Sequence, residues 1–210
     1  MDSHPVTRQG LARLIDHEPD LQVCGDADTA AKALKRIRVA QPDLVLADIS
    51  LPDCPGLALV KELHALHPRL PLLVVSANEE TLYAERVLRA GGRGYIMKQE
   101  DGRILLRAIR QVLSGRIYAS ESISNKILEI FSGHGDAVAH SPVERLSDRE
   151  FEVFELIGQG KSTRDIASQL HLSAKTVEVH RTNMNHKLKL SRGTSLVGYA
   201  VQWTEVQNPP

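Results

Sequence analysis

Along the first hundred residues, stretches with apolar residues at helical spacing alternate with short runs that are apolar throughout. Leu21–Val23 follows Pro19, Leu44–Ala47 follows Pro42, Leu72–Ser76 follows Pro68 and Pro71, and Gly94–Met97 follows Gly91-Gly92. Proline stops a helix and is tolerated just before a strand. Between these runs, Leu11, Leu14 and Ile15 share a helical face, as do Ala30, Leu34 and Ile37, and Leu59, Leu63 and Leu66. Leu82, Val87 and Leu88 follow, then Ile104, Leu105, Ile109 and Val112. The pattern predicts helices over 5–17, 28–40, 57–66, 79–90 and 101–114, and strands over 21–25, 44–48, 72–76 and 93–98. Strands without alternation, interleaved with helices, predict a doubly wound parallel sheet covered on both faces. The alternation opens on a helix, with Pro5 at its first position, so no strand precedes it.

Beyond residue 115 the character changes. Ser132, Gly133, Gly135, Ser141 and Pro142 read as a linker, with room for a short helix over Ser122–Phe131. From Leu146 the strand signal is gone. Helices are predicted over 148–158, 163–171, 174–188 and 193–204, separated by Gly160, His171-Leu172-Ser173 and Ser191-Arg192-Gly193. The expected organisation is an α/β domain over 1–116, a linker over 117–143 and a small all-α domain over 144–210.

Length and composition agree: 210 residues suit two small domains, and 42% hydrophobic residues can fill a core. The longest apolar runs reach only about five residues, against the roughly 18 of a membrane span. No charged-then-apolar leader opens the chain, so a cytoplasmic protein without a membrane partner is expected. Cys24 and Cys54 are too few for a disulfide framework or a four-cysteine zinc site. The 26 basic and 26 acidic side chains cancel, but a sum can hide a local patch. Residues 161–192 hold seven basic and two acidic side chains, a net of +5.

In open parallel sheets ligands bind beyond the carboxyl ends of the strands. Asp48 closes one predicted strand, Ser76 the next and Lys98 the last, while Asp2 and Ser3 precede the first helix. Singly, these read as a helix cap, a turn residue and a solvated strand end. Together, an acid, a hydroxyl and an amine around one carboxylate suit phosphoryl chemistry. Asp48 could act as nucleophile, Lys98 could pair with the added charge and Ser76 could donate to a phosphate oxygen. Mg²⁺ would be the natural cation among oxygen ligands.

The segment Pro42–Pro52 resembles the phosphoacceptor strand and loop of response-regulator receiver domains. Ser76-Ala77 resembles their switch hydroxyl and small residue. Gly94–Lys98 resembles their fifth strand, with Tyr95 as switch aromatic and Lys98 as phosphate-binding lysine, and Asp2-Ser3-His4-Pro5 resembles the opening of the NarL/FixJ, LuxR-type subfamily. The resemblance implies a flavodoxin-like receiver, phosphorylation of Asp48 by a histidine kinase, and metal ligands at Asp2, Asp48 and the backbone carbonyl of Ser50. Ser3 stands where the family carries a second acid, and a neutral hydroxyl is the poorer Mg²⁺ ligand. In that fold the strand ahead of the first helix is central, and without it both neighbours lose backbone partners at about 1–3 kcal/mol per buried group. The expectation adopted is a start codon inside that strand, a GTG valine read as Met1, which apolar codons in frame upstream would support.

In the last third, Ser173 is placed to cap a helix on which Val177, Met184 and Leu188 form one stripe. Two helices joined by a short turn make a helix-turn-helix whose second helix can enter the major groove. Lys175, Val179, Thr182, Asn183 and His186 face away from the stripe, with Glu178 and His180 on the flanks and Arg181 able to snorkel outward. Lys161, Lys187, Lys189 and Arg192 read as phosphate contacts. Glu150 reads as an early-turn acid, and Glu178 either as a base contact or as a partner of Arg181. Leu146–Val153, Ile166-Ala167, Leu172–Arg181 and Lys187-Leu188 resemble the LuxR-type helix-turn-helix. The expected DNA-binding set is Thr163, Lys175, Thr176, Glu178, Val179, His180, Arg181, Thr182, Asn183 and Lys187. By the same resemblance the last helix contributes a homodimer surface, against the plainer reading that it closes a small core. RNA polymerase is a further expected partner.

The reading is therefore a non-enzymatic, phosphorylation-controlled transcription regulator of a two-component system. Two alternatives stand beside it. One is a phosphorylation-independent LuxR-type factor with a degenerate receiver. The other is an aspartyl-nucleophile phosphatase, ranked low because Ser50 stands where a general acid is needed.

Overall fold

A computed structural model describes residues 1–132, 141–190 and 195–207. The chain divides into two compact units, Met1–Phe131 and Ser132–Pro210. The expected linker residues Gly133 and Gly135, and Arg192 and Gly193 before the last helix, lie outside the described residues.

In the first unit the sheet has three parallel strands, β1 (Val45–Ala47), β4 (Leu72–Ser76) and β5 (Gly94–Met97), in the order β1-β4-β5. Ala47 pairs with Val74, and Val74 with Tyr95. All five residues of β4 are buried, as expected of a central strand covered on both faces. Leu73 and Val75 join Ile96 and the α5 residues (Gly102–Leu113) Leu105, Ile109 and Val112 in one cluster, with Ile15 of α1 (Pro5–Asp16). The remaining helices are α2 (Ala30–Ala40), α3 (Gly56–Leu66) and α4 (Glu80–Arg89). Gly91 ends α4 with φ at 101°, and a Cβ there would lie 2.4 Å from the His64 ring, so glycine is required twice over.

Three expectations are corrected. Residues 21–25 form no strand: Asp16 Oδ1 accepts the Val23 N–H at 2.7 Å, an end-of-helix side chain supplying what a ladder would. The strand expected over 44–48 shortens to Val45–Ala47, and a small antiparallel hairpin follows it, β2 (Ser50–Leu51) and β3 (Cys54–Pro55). The segment 117–131, expected as part of a linker with room for a short helix, does form that helix but belongs to the first unit. Tyr118 bridges Gly94 in parallel sense and α6 (Glu121–Phe131) packs near α4, where Ser120 Oγ donates to Glu80 at 2.8 Å and Ile123 is buried.

Met1 and Asp2 lie between β1 and the extended residues before α2. The Met1 ammonium donates to Leu46 O at 2.7 Å, Asp48 N–H to Met1 O at 2.9 Å, and Asp2 N–H to Ala27 O at 3.1 Å. Beside them opens a cleft of about 570 Å³ lined by Leu11, Ile15, Leu21, Val23, Leu44 and Ile109 among others.

The second unit has a 3₁₀ turn at Pro142–Arg145 and the helices α7 (Asp148–Gly158), α8 (Thr163–Gln169), α9 (Ala174–Leu188) and α10 (Leu196–Gln207). Ser147 and Glu150 form a capping box on α7, Ser162 and Asp165 another on α8, and Ser173 caps α9 as the sequence predicts. The α8 helix ends earlier than expected because His171 takes φ at 53°, a left-handed turn into α9. Phe151, Phe154, Ile166, Val177 and Met184 are fully buried, and Trp203 of α10 meets Phe151 and Phe154 edge-on at 5.7 and 5.4 Å.

Candidate functional sites

At the carboxyl end of the sheet, Asp48 follows β1 and Lys98 follows β5. The parallel register of β1, β4 and β5 brings them together across β4. Asp2 enters beside them, held by its backbone bond to Ala27. Lys98 Nζ lies 2.7 Å from Oδ2 of both Asp2 and Asp48, and both carboxylates are buried, at 1% and 2% exposure. Burial alone would push Asp2 toward neutrality. For Asp2 that effect is outweighed by bonds from Lys98 and from the His4 backbone and ring, and its pKa falls below the usual carboxylate range. Burial likewise opposes the Lys98 charge, and the two carboxylates overcome it and raise its pKa. The opposite faces of the carboxylates are also bonded. Asp2 Oδ1 accepts from the His4 N–H at 2.8 Å and lies 3.1 Å from His4 Nδ1, and Asp48 Oδ1 accepts from the Ser50 N–H at 3.1 Å.

Ser76 closes β4 and is fully buried; its Oγ accepts from the Asn78 N–H at 3.2 Å. Tyr95 points inward, its hydroxyl donating to Asn78 O at 2.8 Å and its ring stacked on Tyr83 of α4 at 6.4 Å. Asn78 thus joins the expected switch pair, Ser76 and Tyr95. Ser3 does not join the acidic cluster through its side chain, since its Oγ lies 3.3 Å from His4 Nδ1. Among the described residues the set able to hold a metal ion is Asp2, His4 and Asp48, with one donor atom of each within 4.8 Å of the others. These oxygens fit a hard divalent cation.

Sequence reasoning missed His4 as a member of this set and Asp53 nearby. Asp53, at the hairpin tip, accepts from the N–H groups of Ala30 and Ala31 at 2.9 and 3.0 Å and so ties the loop after Asp48 to the start of α2. Pairings between segments this far apart leave no local pattern. The Ser3-His4 placement beside an acid was the only available sign.

In the second unit α9 presents Lys175, Glu178, Val179, Thr182, Asn183 and His186 to solvent, with Thr176, His180 and Arg181 partly covered. Val179 is 52% exposed on this face. Several polar members already hold intramolecular partners, among them Thr176, whose Oγ1 lies 2.7 Å from Ser173 Oγ. Thr163 Oγ1 donates to Glu178 at 3.0 Å, Thr182 Oγ1 donates to the Glu178 carbonyl at 3.0 Å, and Arg181 lies 3.9 Å from the Glu178 carboxylate. Lys187, expected at phosphate, donates to Glu150 Oε2 at 2.6 Å and anchors α9 to the start of α7. His180 Nδ1 is buried and has no hydrogen-bond partner among the described residues.

With this geometry in place, comparison with known proteins finds two matches along the chain. Residues 1–110 match the model of the response regulator receiver domain, and residues 144–200 that of bacterial regulatory proteins of the luxR family. The chain is 31% identical over 205 residues to the oxygen regulatory protein NreC of Staphylococcus haemolyticus, covering 96% of this chain and 94% of that protein. The Staphylococcus aureus protein of the same name (strain bovine RF122 / ET3-1) is 32% identical over the same length and share. Among solved structures, RcsB of Salmonella enterica serovar Typhimurium, bound to the rprA promoter with a phosphomimetic, shares the fold at TM-score 0.76 and 24% identity, covering 95% of each chain. A LuxR-family response regulator of an Aurantimonas species is 30% identical at TM-score 0.57, covering 62% of this chain and 94% of that one.

Proposed function

Because the chain belongs to the response-regulator receiver family and carries a luxR-family regulatory domain behind it, we propose that Asp48 is its phosphoacceptor and α9 its groove-reading helix. Such a chain is a phosphorylation-regulated, DNA-binding transcription regulator of a two-component system. The observation that carries the assignment is the ammonium of Lys98 set 2.7 Å from both buried carboxylates. A carboxylate oxygen held beside a fixed cation is placed to act as the nucleophile and to have the transferred charge met there.

In the proposed step a carboxylate oxygen of Asp48 attacks phosphorus. The bond from phosphorus to the donor histidine nitrogen of the kinase breaks, and that nitrogen keeps the electron pair and takes a proton. Lys98 then meets the charge of the acyl phosphate. Ser76 turns its hydroxyl from Asn78 to a phosphoryl oxygen, which frees the Asn78–Tyr95 pair to rearrange. A divalent cation bound by Asp2, Asp48 and the Ser50 carbonyl would add positive charge to the phosphoryl oxygens.

On DNA, Lys175, Thr176, Val179, His180, Asn183 and Arg181 are the proposed contacts, with Thr163, Glu178 and Thr182 entering once their mutual bonds open. Lys187 acts through α9's position while it holds Glu150. The α10 helix has two faces. Leu196 and Ala200 close the core, and Val197, 43% exposed, is offered to a second copy as a dimer surface. RNA polymerase is the proposed partner at the promoter.

Full-length protein treated with radiolabelled acetyl phosphate and Mg²⁺ is expected to carry an acid-stable, alkali-labile label that Asp48→Asn loses. DNA binding without any label, in wild type and under every metal, would instead establish a regulator that works without phosphorylation.

A further inference from the structure

The acidic crevice contains a donor that a phosphoacceptor pocket does not require. His4 stands one residue after Ser3, and its Nδ1 lies 3.1 Å from Asp2 Oδ1, within the 4.8 Å cluster that includes Asp48. The ring is 69% exposed, so no packing need holds it over the carboxylates.

Lys98 occupies Oδ2 of both acids. Their Oδ1 atoms are on the side where His4 and the Ser50 N–H approach. Lys98 is the ammonium bonded directly to both carboxylates, with the Met1 ammonium nearby on Leu46 O, and neither meets the Oδ1 side. Ser3 supplies no carboxylate there, and its hydroxyl is engaged with His4. The donors available on that side are therefore two oxygens and one imidazole nitrogen.

We propose that His4 is itself a metal ligand, and that this mixed nitrogen–oxygen set gives the crevice a preference for borderline first-row divalent ions over Mg²⁺. Imidazole suits such ions, whereas Mg²⁺ takes oxygen ligands and keeps its waters. The inference rests on the reading of Asp2 and Asp48 as the phosphoacceptor crevice.

The test is direct titration of the full chain with Co²⁺ alone and with Mg²⁺ alone, by calorimetry, with Co²⁺ also followed by its visible absorption. Wild type is expected to favour Co²⁺ strongly. His4→Ala should weaken Co²⁺ about tenfold or more while moving Mg²⁺ less than about twofold, and His4→Gln, which keeps a hydrogen-bonding side chain, should do the same. Ser3→Asp should strengthen Mg²⁺ and narrow the gap. Unchanged Co²⁺ affinity in both His4 variants, or equal losses for the two metals, would overturn the proposal. Failure of Asp48 to take phosphate bears only on the phosphoacceptor reading, since the titrations need no phosphoryl donor.

Discussion

Lys98 shows how much one side chain can hold. It is the cation shared by two carboxylates that are otherwise out of water, so its removal does more than subtract a contact. Lys98→Ala leaves Asp2 and Asp48 facing each other without their shared cation, and the expected loss is about 3 kcal/mol or more in the first unit's urea transition. Asp48→Asn in the same background should restore part of it, because one of the two opposed charges is gone. The meeting of Asp48 and Lys98 beside Ser76 was legible in the sequence because each ends an apolar run, and a parallel sheet brings such ends together. Tyr95 was legible only as a position, and its inward turn onto Asn78 depends on a backbone carbonyl that no pattern marks. Ser3 was legible as a departure, whereas the His4 ring beside Asp2 was not, since a lone histidine next to proline carries no periodic signal.

Elements show where tertiary contacts overrule local pattern. The α6 helix was expected only as a short helix within a linker, and it is fixed to the first unit by partners some forty residues upstream: Ser120 on Glu80 and Lys126 Nζ on Thr81 O at 3.4 Å, with Ile123 buried beneath. Ile123→Ala is expected to cost about 2–4 kcal/mol in the same urea transition, where a true linker residue would cost almost nothing. The 21–25 segment is the converse case, with strand composition but no ladder. In the second unit Glu150 joins two helices. Burial works against its charge, but Lys187 and the Ser147 backbone and hydroxyl outweigh it and hold its pKa below the usual glutamate range. A carboxylate with a depressed folded pKa stabilises fully above its unfolded value, about 4.3, and this contribution fades as pH falls through the folded one. Thermal unfolding of the second unit between about pH 6 and pH 3 should therefore decline less steeply in Glu150→Gln than in wild type.

For the whole molecule, zero net charge is a sum of unlike parts, since residues 161–192 alone carry an excess of five positive charges. Promoter binding should weaken linearly in log–log coordinates as salt rises, and Lys175→Ala should lower that slope by about one while weakening all sequences alike. Binding that ignores salt would contradict a phosphate-tracking helix. The two-unit division was legible because the apolar period changes from strand-and-helix to helix alone near residue 146; the exact seam was not, because α6 sides with the first unit through contacts rather than composition. The cleft beside β1 has a kinetic meaning as well. β4 is bonded along both edges, whereas β1, among the described residues, has a full partner on one side and backbone bonds to Met1 on the other. In deuterated water the sheet should therefore exchange in order, residues 21–27 and Leu46 first and Leu73–Val75 last. If all the strands exchange together, the sheet opens as one cooperative block and the cleft imposes no order on its loss.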